Sequence, residues 1–202
     1  MKLDITKTHK GRPATDVHGL YHWLFCELTL EHNYNIEEEL LKDSVWTATD
    51  NFNPSSTHQR FIANRNNSEM LTKFCNDFYS FKEQLIDWAT SDNQSLFSSR
   101  WYLGAAHYKN VCAFNIEIYK DIAGFSMPPH LDNSHVMLQA IINLTENQTG
   151  TEMYASDSQS PIYQASTEKN KGMAFLNNSG AVHGIQNVTQ DRYILYASII
   201  LK

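Results

Sequence analysis

The sequence predicts an α+β fold in which two long helices from the first half support a β-rich second half. Three observations carry this. Two stretches of the first half repeat apolar residues at helical spacing, and from about Gln94 onward Gly, Pro and Asn punctuate short segments rich in β-branched and aromatic residues. The chain's 202 residues with 42% apolar content are also enough to bury a core without crosslinks, so one domain over residues 1–202 is expected.

Val17, Leu20, Tyr21, Leu24, Phe25 and Leu28 predict an amphipathic helix from Asp16 to about Asn33, with Thr15 or Asp16 as its N-cap. A second helix is predicted from near Ser68 to Trp88, because Leu71, Phe74, Phe78, Phe81, Leu85 and Trp88 recur on one face. Between them, Ile36 to Lys42 reads as a short helix, Ser44 to Phe52 as a strand and Asn53 to Asn67 as a polar loop. The helical support region thus covers about 1–93 and the β core about 94–202. Strands are predicted at Ser95–Tyr102, Val111–Lys120, Val136–Thr145, Glu152–Ala155, Met173–Asn177, Val182–Asn187 and Arg192–Leu201. Short strands at this spacing suit a sandwich or barrel with the helices on one outer face.

Several function classes fall away on composition. Cys26, Cys75 and Cys112 are odd in number and form no CxxC pair, which argues against a disulfide framework or a thiolate zinc site. A net charge of −6 with scattered Lys and Arg argues against a nucleic-acid surface. Neither a signal-peptide run nor a long apolar span is visible, so no membrane partner and a cytoplasmic location are expected.

The chemistry begins at His130-Leu131-Asp132, between Pro128-Pro129 and Asn133-Ser134. In extended backbone, residues two apart point to the same side, so imidazole and carboxylate can converge on one point. A third ligand would complete two histidines and one carboxylate, which hold a metal on one side and leave positions open for chemistry. His183 and, closer in sequence, His135 are the candidates; a lone histidine is otherwise more often structural. Arg192 opens the last apolar strand, nine residues after His183. A guanidinium buried there needs an anionic partner, which a dicarboxylate ligand could supply through two parallel hydrogen bonds.

These residues, in this order, resemble the iron(II)- and 2-oxoglutarate-dependent oxygenase superfamily, and especially its prolyl-hydroxylase-like branch. The similarity runs from about Val111 to Leu201. It takes in Asn115 to Tyr119, Gly124, Pro129 to Asn133, Leu138 to Leu144, Gly150 to Tyr154, Lys171 to Asn178, His183-Gly184-Ile185 and Val188-Thr189. The resemblance implies a double-stranded β-helix (jelly roll) core, Fe(II) held by His130, Asp132 and His183 in preference to His135, and 2-oxoglutarate gripped by Arg192. It also implies O2 as the second co-substrate, release of succinate and CO2, and hydroxylation of a small-molecule, protein or peptide substrate. Ile194 stands where many relatives carry Ser or Thr, and Thr149-Gly150 stands where paired glycines are common. No second arginine follows shortly after Arg192, which argues against the AlkB-type DNA repair subclass.

Strand parity fits this reading. In Val136 to Thr145, Val136, Leu138, Ala140, Ile142 and Leu144 share one face, while Met137, Gln139, Ile141 and Asn143 form a mixed one, as a strand lining a pocket requires. Asn115, Glu117 and Tyr119 form a polar row. The resemblance places Tyr119 and Asn143 where co-substrate contacts occur; the structural alternatives are a rim hydroxyl and an amide paired to backbone. Glu152 reads as a partly exposed strand carboxylate, His18, His22 and His107 as surface or packed residues, and Trp101 with Tyr102 as aromatic core before a substrate wall. Two rival functions remain: a cupin-like metal-binding jelly roll that does not use 2-oxoglutarate, and a non-catalytic ligand-binding or sensing protein.

Overall fold

Alternation, rather than helical spacing, decides much of the first half of the chain. The computed structural model describes residues 1–11, 23–49, 60–91, 105–155, 160–177 and 181–202, and opens on two antiparallel strands, β1 (Lys2–Gly11) and β2 (Trp23–Glu31). The predicted helix from Asp16 to Asn33 is therefore corrected to a strand over 23–31; its first turns, including Thr15 and Asp16, lie outside the described residues. The physical reason is a shared spacing. Leu24 and Leu28 are four apart and fit either period, but Leu24, Cys26, Leu28 and Leu30 complete a two-residue alternation, and all four are buried in the main core. Phe25 points to the opposite face, into a second core.

Only one long helical segment supports the sheets, so the expectation of two is corrected. It comprises α2 (Glu69–Phe78), a 3-10 turn at Tyr79–Phe81 and α3 (Lys82–Ser91). Ser68 caps it, its Oγ accepting from the Leu71 backbone N–H at 3.2 Å. Short helices α1 (Ile36–Leu40) and α4 (Ala105–Val111) and strands β3 (Trp46–Ala48) and β4 (Arg60–Ala63) complete this half. The segment predicted as a polar loop thus contains a strand and ends in a 3-10 turn at Arg65–Asn67. The strand predicted at 95–102, with Trp101 and Tyr102, lies outside the described residues.

The remaining strands are β5 (Cys112–Asp121), β6 (Met127–His130), β7 (Val136–Asn143), β8 (Glu152–Tyr154), β9 (Pro161–Gln164), β10 (Lys171–Leu176), β11 (Val182–Ile185) and β12 (Arg192–Leu201). They form an eight-stranded sheet ordered β1-β2-β10-β7-β12-β5-β4-β3 and a four-stranded sheet ordered β6-β11-β8-β9, with antiparallel pairing throughout. The outer face of the large sheet packs on α2 and α3 through Phe74, Phe78, Leu85 and Ile86 against Leu28, Ile118, Leu138 and Leu195. Each of these burials stabilises by roughly 1.5–3 kcal/mol. The inner face meets the small sheet through Phe25, Met173, Phe175 and Ile194 against Met153 and Ala181.

Parity along β7 holds from Leu138 to Ile142. At its end, where the pairing with β12 shifts between Ile199 and Ile200, Val136 turns into a cavity and Met137 joins the outer core. That shift shapes one end of the site. The three cysteines are buried and free. No helix among the described residues is long and apolar enough to cross a membrane.

Candidate active site

A cavity of about 480 Å³ lies between the inner faces of the two sheets, within the range of roughly 300–1,000 Å³ usual for small-molecule sites. The small sheet supplies one wall. His130 closes β6 and His183 lies in β11, directly opposite it in the antiparallel register. Their rings come to 4.4 Å between centroids. Gly184 permits this approach: a Cβ there would stand 2.8 Å from the Met127 carbonyl oxygen, backbone that cannot easily move. Asp132 follows β6 in a loop that Asn177 pins down. The Asn177 amide donates to the carbonyls of Asn133 and Val136, both at 3.0 Å, and sits 3.4 Å from that of Asp132.

One ligand atom from each of His130, Asp132 and His183 lies within 4.8 Å of the others. Asp132 Oδ2 is 3.4 Å from His183 Nε2, and Oδ1 is 3.8 Å from His130 Nε2. Bonds of about 2.0–2.2 Å to a common ion would need only a small closing-in of these atoms. Both imidazoles are oriented for it. His130 Nδ1 lies 2.9 Å from the Pro128 carbonyl and His183 Nδ1 lies 3.1 Å from the Ala181 carbonyl. A carbonyl can only accept, so each ring donates through Nδ1 and turns the lone pair of Nε2 inward. Burial pushes the His183 imidazole below its ordinary value; the Asp132 carboxylate opposes the shift and His130 adds to it. Burial thus favours the neutral ring that metal binding requires. Asp132 Oδ2 is buried with no hydrogen-bond partner, which an ion between the three side chains would supply. Nitrogen and carboxylate oxygen in this ratio suit a divalent metal such as iron(II).

The opposite end of the cavity is basic. Arg192, 2% exposed, opens β12 and donates from Nη1 to Asp121 Oδ2 at 3.3 Å and from Nη2 to Thr151 Oγ1 at 2.8 Å, leaving Nε without a partner. Asp121, fully buried, also takes Arg60 in a two-point pair, at 2.6 Å from Nε and 3.1 Å from Nη2. Burial pushes the Arg192 guanidinium down to about 10 against the pull of Asp121. In Arg60 burial lowers and Asp121 raises, and the net direction is upward. Two guanidinium groups share one carboxylate, so this end keeps a buried surplus of positive charge that an anionic ligand would offset.

The structure brings His130, Asp132, His183, Arg192 and Tyr119 to one cavity. Tyr119 lies under the Arg60 guanidinium, 4.8 Å from its carbon to the ring centre, and its hydroxyl donates to Glu117 Oε2 at 2.6 Å. Asn143 is not among the lining residues. Its amide donates to the carbonyls of Ser166 at 2.6 Å and Glu168 at 3.3 Å, the backbone pairing that was the alternative for it. His135 is exposed, and Glu152 accepts from the Tyr154 hydroxyl at 2.5 Å. Sequence reasoning missed Arg60 and Asp121. A lone acid closing the Cys112–Asp121 strand, opposite Arg192, was the available signal.

No family model matches the chain and no curated relative matches it. Solved structures do. A prolyl hydroxylase from Trichoplax adhaerens, in complex with a hypoxia inducible factor oxygen degradation domain peptide fragment, matches with a TM-score of 0.56 at 11% identity, over 87% of this chain and 83% of that one. The fold is that of the prolyl hydroxylases. A Pseudomonas putida prolyl-4-hydroxylase matches with a TM-score of 0.49 at 12% identity, over 83% of this chain and 80% of that one. HygX from Streptomyces hygroscopicus, with nickel, 2-oxoglutarate and hygromycin B bound, matches at 0.49 and 9%, over 88% and 83%. The prolyl-hydroxylase-like fold agrees with the jelly-roll expectation: a mixed fold of helix and antiparallel sheet.

Proposed function

We propose that this chain is an Fe(II)- and 2-oxoglutarate-dependent dioxygenase that hydroxylates a small-molecule, protein or peptide substrate. The observation that carries the reading is the meeting, in one cavity, of a two-histidine, one-carboxylate group with a buried arginine cluster of surplus positive charge. When bound, iron(II) supplies the coupling of 2-oxoglutarate decarboxylation by O2 to oxidation of a C–H bond, with succinate and CO2 released.

The residues divide the remaining work. His130, Asp132 and His183 hold the metal from one side, which leaves the cavity side open to reactants. Arg192, with Arg60 beside it, binds the far carboxylate of 2-oxoglutarate, and Asp121 keeps the two guanidinium groups in place. Tyr119 lines the path between the two ends. Ile141, Ile185 and Ile194 give the walls an apolar part beside the polar groups.

Anaerobic titration with iron(II) and then 2-oxoglutarate, followed by admission of air and a succinate assay, tests the proposal. The expected result is one bound metal, 2-oxoglutarate binding that depends on it, and succinate formed even without a prime substrate. Metal binding with turnover indifferent to 2-oxoglutarate would instead support a cupin-like enzyme. Binding of both without succinate would support a sensing protein.

A further inference from the structure

We infer that the cavity end away from Arg192 is a recognition subsite for the molecule to be oxidised, and that it takes a cationic group carried beside an amide or hydroxyl. What happens to that molecule rests on the oxygenase reading. The chemistry of recognition stands on residues that reading does not use.

Three cross-strand pairs between β5 and β12 succeed one another along the cavity floor beyond the Arg192–Asp121 pair. They are Ile194 with Tyr119, Tyr196 with Glu117, and Ser198 with Asn115. From Arg192 to Ser198 the floor runs about 20 Å at roughly 3.3 Å per residue. The metal-ligating group sits toward the Ser198 end: the His183 ring lies 4.6 Å from Phe175, and Phe175 is the register partner of Gln139, which in turn partners Ser198. Gln139, Ser198 and Asn115 thus form a polar row across three neighbouring strands, all facing the cavity.

Gln139 is the decisive member. It is 1% exposed, and its amide makes no hydrogen bond of normal geometry, with the Tyr196 hydroxyl as a polar neighbour. An amide buried with neither function paired is unfavourable, so such a residue in a cavity wall marks a place where a ligand supplies both a donor and an acceptor. A purely apolar substrate group would leave the cost standing. An amide or hydroxyl on the substrate removes it.

Charge decides the rest. The basic lining residues, Arg60 and Arg192, both belong to the Asp121 cluster, and Asp132 is matched to the ion held with His130 and His183, which leaves Glu117, the partner of Tyr196 further along β5, as the lining acid committed to neither group. Glu117 accepts one hydrogen bond from Tyr119 and keeps capacity for more. The cavity is therefore polarised along its length, with an anion favoured at Arg192 and a cation favoured beside Glu117.

Calorimetry on the full chain tests this, with and without iron(II) and 2-oxoglutarate under anaerobic conditions. The probes are N-acetyl-L-arginine amide and its neutral counterpart N-acetyl-L-citrulline amide. The same two residues within capped Ala-X-Ala tripeptides distinguish a free metabolite from a peptide side chain. Roughly tenfold or greater preference for arginine over citrulline in either format is expected, with no measurable binding of N-acetyl-L-proline amide. Gln139→Leu should weaken the arginine probe about tenfold and raise Tm by about 2–4 °C, since it removes an unpaired amide rather than a used one. Equal affinity for arginine and citrulline, tighter binding of the proline probe, no binding of any cationic probe, or a lower Tm in Gln139→Leu would each overturn the inference. A failure of iron(II) and 2-oxoglutarate to bind counts against the oxygenase reading, while probe selectivity measured without them still decides the subsite.

Discussion

His130 and His183 hang from strands of four residues each, whereas Arg192 opens and Asp121 closes strands of ten. The candidate metal-binding end sits on the small sheet and a loop, and short local hydrogen bonds keep it aligned. The basic end sits on the central strands of the large sheet, and its groups are partnered with one another. Neither end is complete in the protein alone, but they lack opposite things. Asp121 answers Arg60 and Arg192 at once and leaves Arg192 Nε and a surplus of positive charge open, while Asp132 Oδ2 has no partner until something enters the cavity.

That contrast can be broken most severely at the His130–Asp132–His183 end. His183→Ala should abolish iron(II) binding and succinate formation, because two remaining ligands cannot hold the ion; calorimetric metal titration checks it, and retained binding would remove His183 from the site. At the basic end, Arg192→Met should raise the 2-oxoglutarate KM about 10–100-fold with metal affinity little changed, the loss expected for hydrogen bonds to a charged group. An unchanged KM would mean that the co-substrate carboxylate binds elsewhere. Asn177→Ala frees the loop carrying Asp132 and should weaken metal binding about tenfold while the ligands themselves stay in place. Arg60→Met should raise the same KM about threefold to tenfold, less than Arg192→Met, since Arg60 gives two of its donors to Asp121. If Arg60 proves the more costly of the two, the order assigned to the pair reverses.

The site was more legible in the sequence than the scaffold that carries it. His130, Asp132 and Arg192 could be picked out because the His-x-Asp spacing and a charged residue opening an apolar strand are local signals, whereas the choice of His183 over His135 came from the resemblance; β12 spans Arg192–Leu201 as expected. Arg60 and Asp121 were not, because their meaning is a pairing across 61 residues, and the acid closing the Cys112–Asp121 strand becomes a signal only once Arg192 is known to lie opposite it. In β2 the i, i+4 pair of Leu24 and Leu28 served two periods, and the choice between them was made by β10 and β1 pairing on either side. Strands β1 and β9 carried little signal because they are sheet edges. Lys2, Asp4, Lys7 and Lys10 in the one, and Pro161 in the other, are what an unpaired edge favours and what hides a strand from pattern reading. Asn143 shows the limit of parity. It lies on the cavity face of β7, yet its amide is taken up by two backbone carbonyls beyond the cavity's reach.

Each imidazole brings its own alignment device, a carbonyl two residues upstream in the same strand segment, at Pro128 for one and Ala181 for the other. Ring tautomer is therefore a property of a tripeptide and does not depend on a distant carboxylate. Substitutions in the surrounding sheet that preserve those two tripeptides and the close pass at Gly184 should leave the coordinating nitrogens aimed as they are. Such a ligand pair is portable: it can tolerate drift in everything around it, which is one way a reaction centre can persist while the walls that select its substrate are rebuilt.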